Sequence, residues 1–127
     1  MEKKKVIISK DAPAAVGPYS HANIINGIVY TAGQIALDPI TNTLVTENIT
    51  VEATRVMENL KIILEESGSG MEKVLKATIY LTSMNDFTAV NDVYKQFIIS
   101  DFPGRTCVEV SRLPKDAHVE IEMIASL

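Results

Sequence analysis

Asn48 to Thr82, NITVEATRVMENLKIILEESGSGMEKVLKATIYLT, changes its hydrophobic period once, and that change decides the fold class. Ile49, Ala53, Val56, Met57, Leu60, Ile63 and Leu64 recur every three or four residues, one face of an amphipathic helix. Glu52, Arg55, Glu58, Glu65 and Glu66 fall on the opposite, polar face. Ser67-Gly68-Ser69-Gly70 stops the helix, because glycine past the last turn frees the backbone to leave it. From Val74 the period drops to two: Leu75, Ala77, Ile79 and Leu81 share one face, and Lys76, Thr78, Tyr80 and Thr82 share the other.

Working outward, Phe87, Val90, Tyr94, Phe97 and Ile98 give a second helix after an Asn85-Asp86 start, ended by Phe102-Pro103-Gly104. Arg105 to Leu113 and His118 to Leu127 read as two strands of a hairpin joined at Pro114-Lys115-Asp116. Upstream, Ala22–Ile25 and Ile28–Gln34 flank Asn26-Gly27, which accepts the positive φ of a tight turn. Asp11 to Tyr19, with Pro13, Gly17 and Pro18, is a shaped loop, and Val6-Ile7-Ile8 is a short first strand. The order β-β-β-α-β-α-β-β predicts an α+β domain over 1–127, a mostly antiparallel sheet with two helices on one face. The other face is mixed. It is either solvated or packed against other subunits, and closed symmetric assembly is the preferred reading.

A chain of 127 residues, 46% hydrophobic and 22% charged, is long enough for one core and too apolar for disorder. The net charge of −4 disfavours a general nucleic-acid binder. One cysteine, Cys107, excludes a disulfide scaffold. No apolar run reaches the ~20 residues of a membrane span. Val6-Ile7-Ile8 is too short for a signal-peptide core, so the cytoplasm is the expected location.

The last hairpin holds the most chemistry. Arg105, Cys107, Glu109 and Ser111 alternate onto one face, and His118, Glu120 and Glu122 onto one face of the next strand. If those faces coincide, a guanidinium, a thiol and carboxylates meet on a rigid sheet. Arg105 follows Pro103-Gly104, where a ligand can reach it, and a guanidinium grips a carboxylate through two parallel hydrogen bonds. The alternative for Arg105 is a structural pair with a glutamate. Cys107 reads as a small buried hydrophobe, since no histidine pattern activates it. His21 and His118 are each alone, without a second ligand at metal spacing. Gly33, in Thr31-Ala32-Gly33-Gln34, marks a bulge, a close ligand approach or simply a strand end. Tyr19 caps a pocket or packs.

Taken together, Ala12-Pro13-Ala14-Ala15-Val16-Gly17-Pro18-Tyr19-Ser20, Ala32-Gly33-Gln34-Ile35, Asn85-Asp86-Phe87 with Val90-Asn91, RTCVEVSRLPKD at 105–116 and Val119-Glu120-Ile121-Glu122 resemble the Rid family, in its RidA (reactive intermediate deaminase A) subgroup. The resemblance runs in order over nearly the whole chain. It implies a chorismate-mutase-like fold, and a homotrimer with a central barrel and clefts between subunits. It also implies hydrolysis of 2-imino or enamino acids, such as 2-iminobutanoate and 2-iminopropanoate, without metal or cofactor. By this resemblance Arg105 is the carboxylate clamp and Glu120 holds the attacking water. Gly33 and the Cys107 backbone line the cleft near the substrate, and Tyr19 and Asn91 stand at its wall. A ribonuclease or translation-inhibitor activity and a noncatalytic, carboxylate-sensing or chaperone-like trimer are the alternatives. Ala32 replaces a common serine, Gly104 and Thr106 flank Arg105 in place of the family's usual residues, and His21 replaces a frequent glutamine.

Overall fold

The computed structural model describes residues 2–127. Strands β1 (Lys5–Ile7), β2 (Ala22–Ile25) and β3 (Ile28–Thr31) lead into helix α1 (Ile49–Glu66). Strand β4 (Val74–Leu81), helix α2 (Phe87–Phe97), strand β5 (Gly104–Glu109) and strand β6 (Val119–Ser126) follow. The predicted element order holds throughout. Asn26 (φ 52°) and Gly27 (φ 73°) make the expected β2–β3 turn. The Asn48 carboxamide accepts from the Val51 N–H at 2.9 Å and starts α1.

The six strands form one sheet in the order β1-β2-β3-β6-β4-β5, with only the β4–β5 pair parallel. Val56, Met57, Leu60, Ile63 and Leu64 of α1 are fully buried, as are Ala77, Ile79 and Leu81 of β4 and Val119, Ile121 and Met123 of β6. Burying each large aliphatic side chain contributes about 1.5–3 kcal/mol. Both helices therefore lie on one face, and Lys76, Thr78, Tyr80, Glu120 and Glu122 point to the other.

Three expectations are corrected. The last two strands are not a hairpin, because β4 lies between β5 and β6. β5 follows β4 through α2, and a strand–helix–strand crossover returns the chain parallel to the first strand. Residues 110–118 then carry the chain from the sheet edge back to its middle. Glu52 is not on a solvated helix face but 1% exposed. Its carboxylate accepts the His118 backbone N–H and contacts His118 Nδ1, both at 2.7 Å, so it fixes the start of β6. Leu75 is half-exposed, because the β4–β6 register shifts between Val74 and Lys76, and Val74 takes the buried place.

Candidate active site: two half-sites on opposite faces of the sheet

β3 leaves its ladder after Thr31. The Thr31 hydroxyl accepts the Met123 N–H at 3.0 Å in place of a backbone carbonyl, and pairing resumes between Gln34 and Ile121. Ala32 and Gly33 bulge between these points, and the Glu120 carboxylate lies against Gly33. A β-carbon on Gly33 would collide with that carboxylate and come within 2.9 Å of its Cδ. Of the readings open for Gly33, the structure shows a bulge, and the group that approaches it closely is the protein's own Glu120 carboxylate.

Tyr19, Gly33 and Glu120 line a cleft of ≈ 560 Å³, walled by Pro13, Val16, Ile35 and Leu37. Buried polar residues hold both walls. His21 Nδ1 accepts the Ser9 N–H at 2.8 Å, which leaves the proton on Nε2 to donate to the Pro13 carbonyl at 2.7 Å. This fastens the proline-containing loop. Asn59, buried on the apolar side of α1, donates to the Leu37 carbonyl at 2.9 Å and holds the opposite wall. Sequence periodicity gave no role to Asn59, although a polar side chain inside an apolar stripe was a readable signal.

Glu120 is half-buried, and its carboxyl is pushed above the ordinary carboxylate range, first by loss of water and then by the neighbouring Glu122 charge. The Tyr80 hydroxyl donates to Glu122 at 2.6 Å, which pushes the phenol's pKa up.

Arg105 stands elsewhere. It pairs in register with Ala77 on the helix side of the sheet, opposite to Glu120. Its Nη1 donates to the Asn91 Oδ1 at 2.7 Å, and its guanidinium carbon lies 5.6 Å from the Phe87 ring centroid and 4.9 Å from that of Tyr94. Phe87, Asn91 and Tyr94 form one stripe of α2 at four- and three-residue spacing. The two aromatics entered the sequence reading only as core, and their place beneath Arg105 was missed. No carboxylate pairs with Arg105 among the described residues. Arg105 and Asn91 line a second cavity of ≈ 400 Å³ with Phe102 and Pro103. Cys107 packs against the core on the same face, and burial pushes its thiol up against the opposing pull of Arg105.

The faces of β5 and β6 therefore do not coincide. Tyr19, Gly33 and Glu120 come together, Arg105 and Asn91 come together, and the two groups stay apart within one chain. His118 joins neither, since its ring is turned to Glu52.

The sequence from residue 9 to 127 matches the family model described as Endoribonuclease L-PSP. A Rid family protein of Yersinia pestis, YyfA, superposes with a TM-score of 0.96 at 44% identity, covering 98% of this chain and 100% of that one. The chain belongs to the Rid/L-PSP family. Curated relatives of this Rid protein include a RutC family protein of Synechocystis, 51% identical over 97% of this chain and 96% of that one. They also include the 2-iminobutanoate/2-iminopropanoate deaminase of Capra hircus, 43% identical over 96% of this chain and 89% of the relative.

Proposed function

We propose that the chain hydrolyses small 2-imino acids and their enamine tautomers to 2-oxo acids and ammonia, at sites shared between copies of a homotrimer. The observation that carries this reading is Glu120: a half-buried carboxyl, raised in pKa, seated on Gly33 in an apolar-walled cleft. A carboxyl poised nearer neutrality serves as both acid and base. Protonated Glu120 gives its proton to the imine nitrogen, and the resulting carboxylate takes one from the attacking water. The C–O bond forms as the C=N π pair moves to nitrogen. The carbinolamine then collapses: Glu120, again protonated, gives its proton to the amine nitrogen, the C–N bond breaks to release ammonia, and the hydroxyl proton returns to the Glu120 carboxylate as the C=O forms. The balance is imine plus water to ketone plus ammonia, and no covalent nucleophile is needed. This agrees with a Cys107 thiol that burial keeps protonated.

Arg105 is the proposed clamp for the substrate carboxylate. Asn91, Phe87 and Tyr94 hold its guanidinium while leaving it without an acidic partner, and orienting the substrate is a large part of such catalysis. Tyr19 and Gly33 form the wall beside Glu120, and Cys107 lends its backbone near the substrate. A neighbouring copy brings its Arg105 to the Glu120 cleft. The sheet face away from the helices, with Val6, Tyr30 and Val108 exposed on it, is the proposed barrel interior. The expected location is the cytoplasm; no helix among the described residues is long and apolar enough to cross a membrane.

The deciding assay generates 2-iminobutanoate with threonine dehydratase in the presence of semicarbazide. Wild type is expected to suppress semicarbazone formation, and Arg105→Ala to lower kcat/KM on the order of 100-fold. A fully active Arg105→Ala would remove the clamp from the account.

The family's endoribonuclease description favours a second reading. The charge of −4 counts against it, as do a buried, doubly bonded His21 and a His118 tied to Glu52. RNA binding that is strong and falls steeply with salt would support it.

A further inference from the structure

Five non-glycine residues among those described adopt a left-handed backbone: Asn26, Asn42, Asp101, Lys115 and Asp116. Four of them are asparagine or aspartate, the types that tolerate this region best. Lys115 is the exception, at φ 57° and ψ 25°. A local preference for backbone shape does not explain a lysine there, and a strained non-glycine position of this kind points to a function of its side chain.

Lys115 lines the Glu120 cleft and is the one lysine or arginine among its lining residues. The adjacent Asp116 is taken by Arg112, at 2.7 Å, and no ion pair involves Lys115. An unpaired ammonium thus stands at a cleft whose other charged lining residue is a carboxylate, on a chain of net charge −4. Whenever Glu120 is ionised, an anionic ligand entering this cleft meets repulsion, and Lys115 is the cation that this chain itself, among its described residues, places there to offset it.

We propose that Lys115 is an anion-binding residue of the Glu120 cleft, capturing carboxylate ligands at its mouth. This deepens the deaminase reading and rests on the same cleft, but it concerns ligand capture and not the chemical step. Lys115 is then held in an unfavourable backbone conformation for the sake of its charge.

The test compares wild type, Lys115→Asn and Lys115→Arg for binding of 2-oxobutanoate by calorimetry, at low and at high salt, alongside their melting temperatures. Lys115→Asn is expected to weaken binding about 5- to 10-fold at low salt and less than 2-fold at high salt, since surface charges are screened. It should also melt a few degrees higher, because asparagine suits the left-handed backbone. Lys115→Arg should bind like wild type. Undiminished binding by Lys115→Asn, or no 2-oxobutanoate binding by the wild type, would overturn the proposal. Imine turnover is measured separately on the same proteins. Lys115-dependent binding without turnover would remove the deaminase reading and leave the anion site. Turnover with Lys115-independent binding would do the reverse.

Discussion

The two cavities differ in kind. The Glu120 cleft is walled by apolar side chains, holds a carboxyl of raised pKa, and is braced by buried polar residues, His21 on one side and Asn59 on the other. The Arg105 cavity is smaller and carries a cation backed by two aromatic rings of α2. One holds a carboxyl without an arginine, and the other holds an arginine without an acid. They are separated because β4 stands between β5 and β6, and because Arg105 and Glu120 leave the sheet on opposite faces. The difference teaches that a single chain holds complementary parts, and that assembly of copies is what joins them in the proposed enzyme.

The sharpest way to break the acid half is at Gly33. An added methyl has no room beside the Glu120 carboxylate, and the carboxylate, as the end of a flexible side chain, gives way more easily than backbone. Gly33→Ala is therefore expected to lose roughly 10- to 100-fold in kcat, as a displacement on the order of 1 Å does in catalysis. Its 2-oxobutanoate binding through the Arg105 half should change little. Equal loss in kcat and binding would show that Gly33 serves the ligand and not Glu120.

A smaller effect separates the halves by pH. The folded pKa of Glu120 lies above its ordinary value near 4.5, so the native state holds this proton to higher pH than the unfolded chain. Stability from this group is complete below the unfolded value and is lost as pH rises through the folded one. Glu120→Gln removes that loss. Its stability relative to wild type should rise between acid and neutral pH, while Arg105→Ala should run parallel to wild type. Denaturant unfolding at several pH values measures both. A Glu120→Gln curve parallel to wild type would mean that burial does not strain this carboxyl.

Much of the fold was legible in the sequence because it is local. The α1 stripe and the Asn26-Gly27 turn each depend on residues within a few positions of one another. The pairing of β5 was misread because a turn at Pro114-Lys115-Asp116 suggests a hairpin, whereas the strand's neighbour is set by the crossover through α2. Glu52 looked solvent-facing because its partner, the His118 N–H, lies 66 residues away. Leu75 followed the alternation until a register shift moved it out. The site had the same limit. Residue type and family resemblance picked out Arg105, Glu120, Gly33, Tyr19 and Asn91, but their division into two cavities depends on strand order, which periodicity does not encode. Phe87 and Tyr94 were seen as core because an aromatic that packs and an aromatic that also carries a cation share one helical spacing.

The most direct test of the central claim is complementation. Arg105→Ala and Glu120→Gln, each expected to be strongly impaired alone, are co-expressed, and the mixed assemblies are assayed for suppression of semicarbazone formation from 2-iminobutanoate. With one half-site taken from each of two copies, random mixing leaves both wild-type residues at about a quarter of the sites, so about a quarter of the activity should return. Mixed assemblies as impaired as their parents, confirmed to contain both chains, would contradict a site shared between subunits.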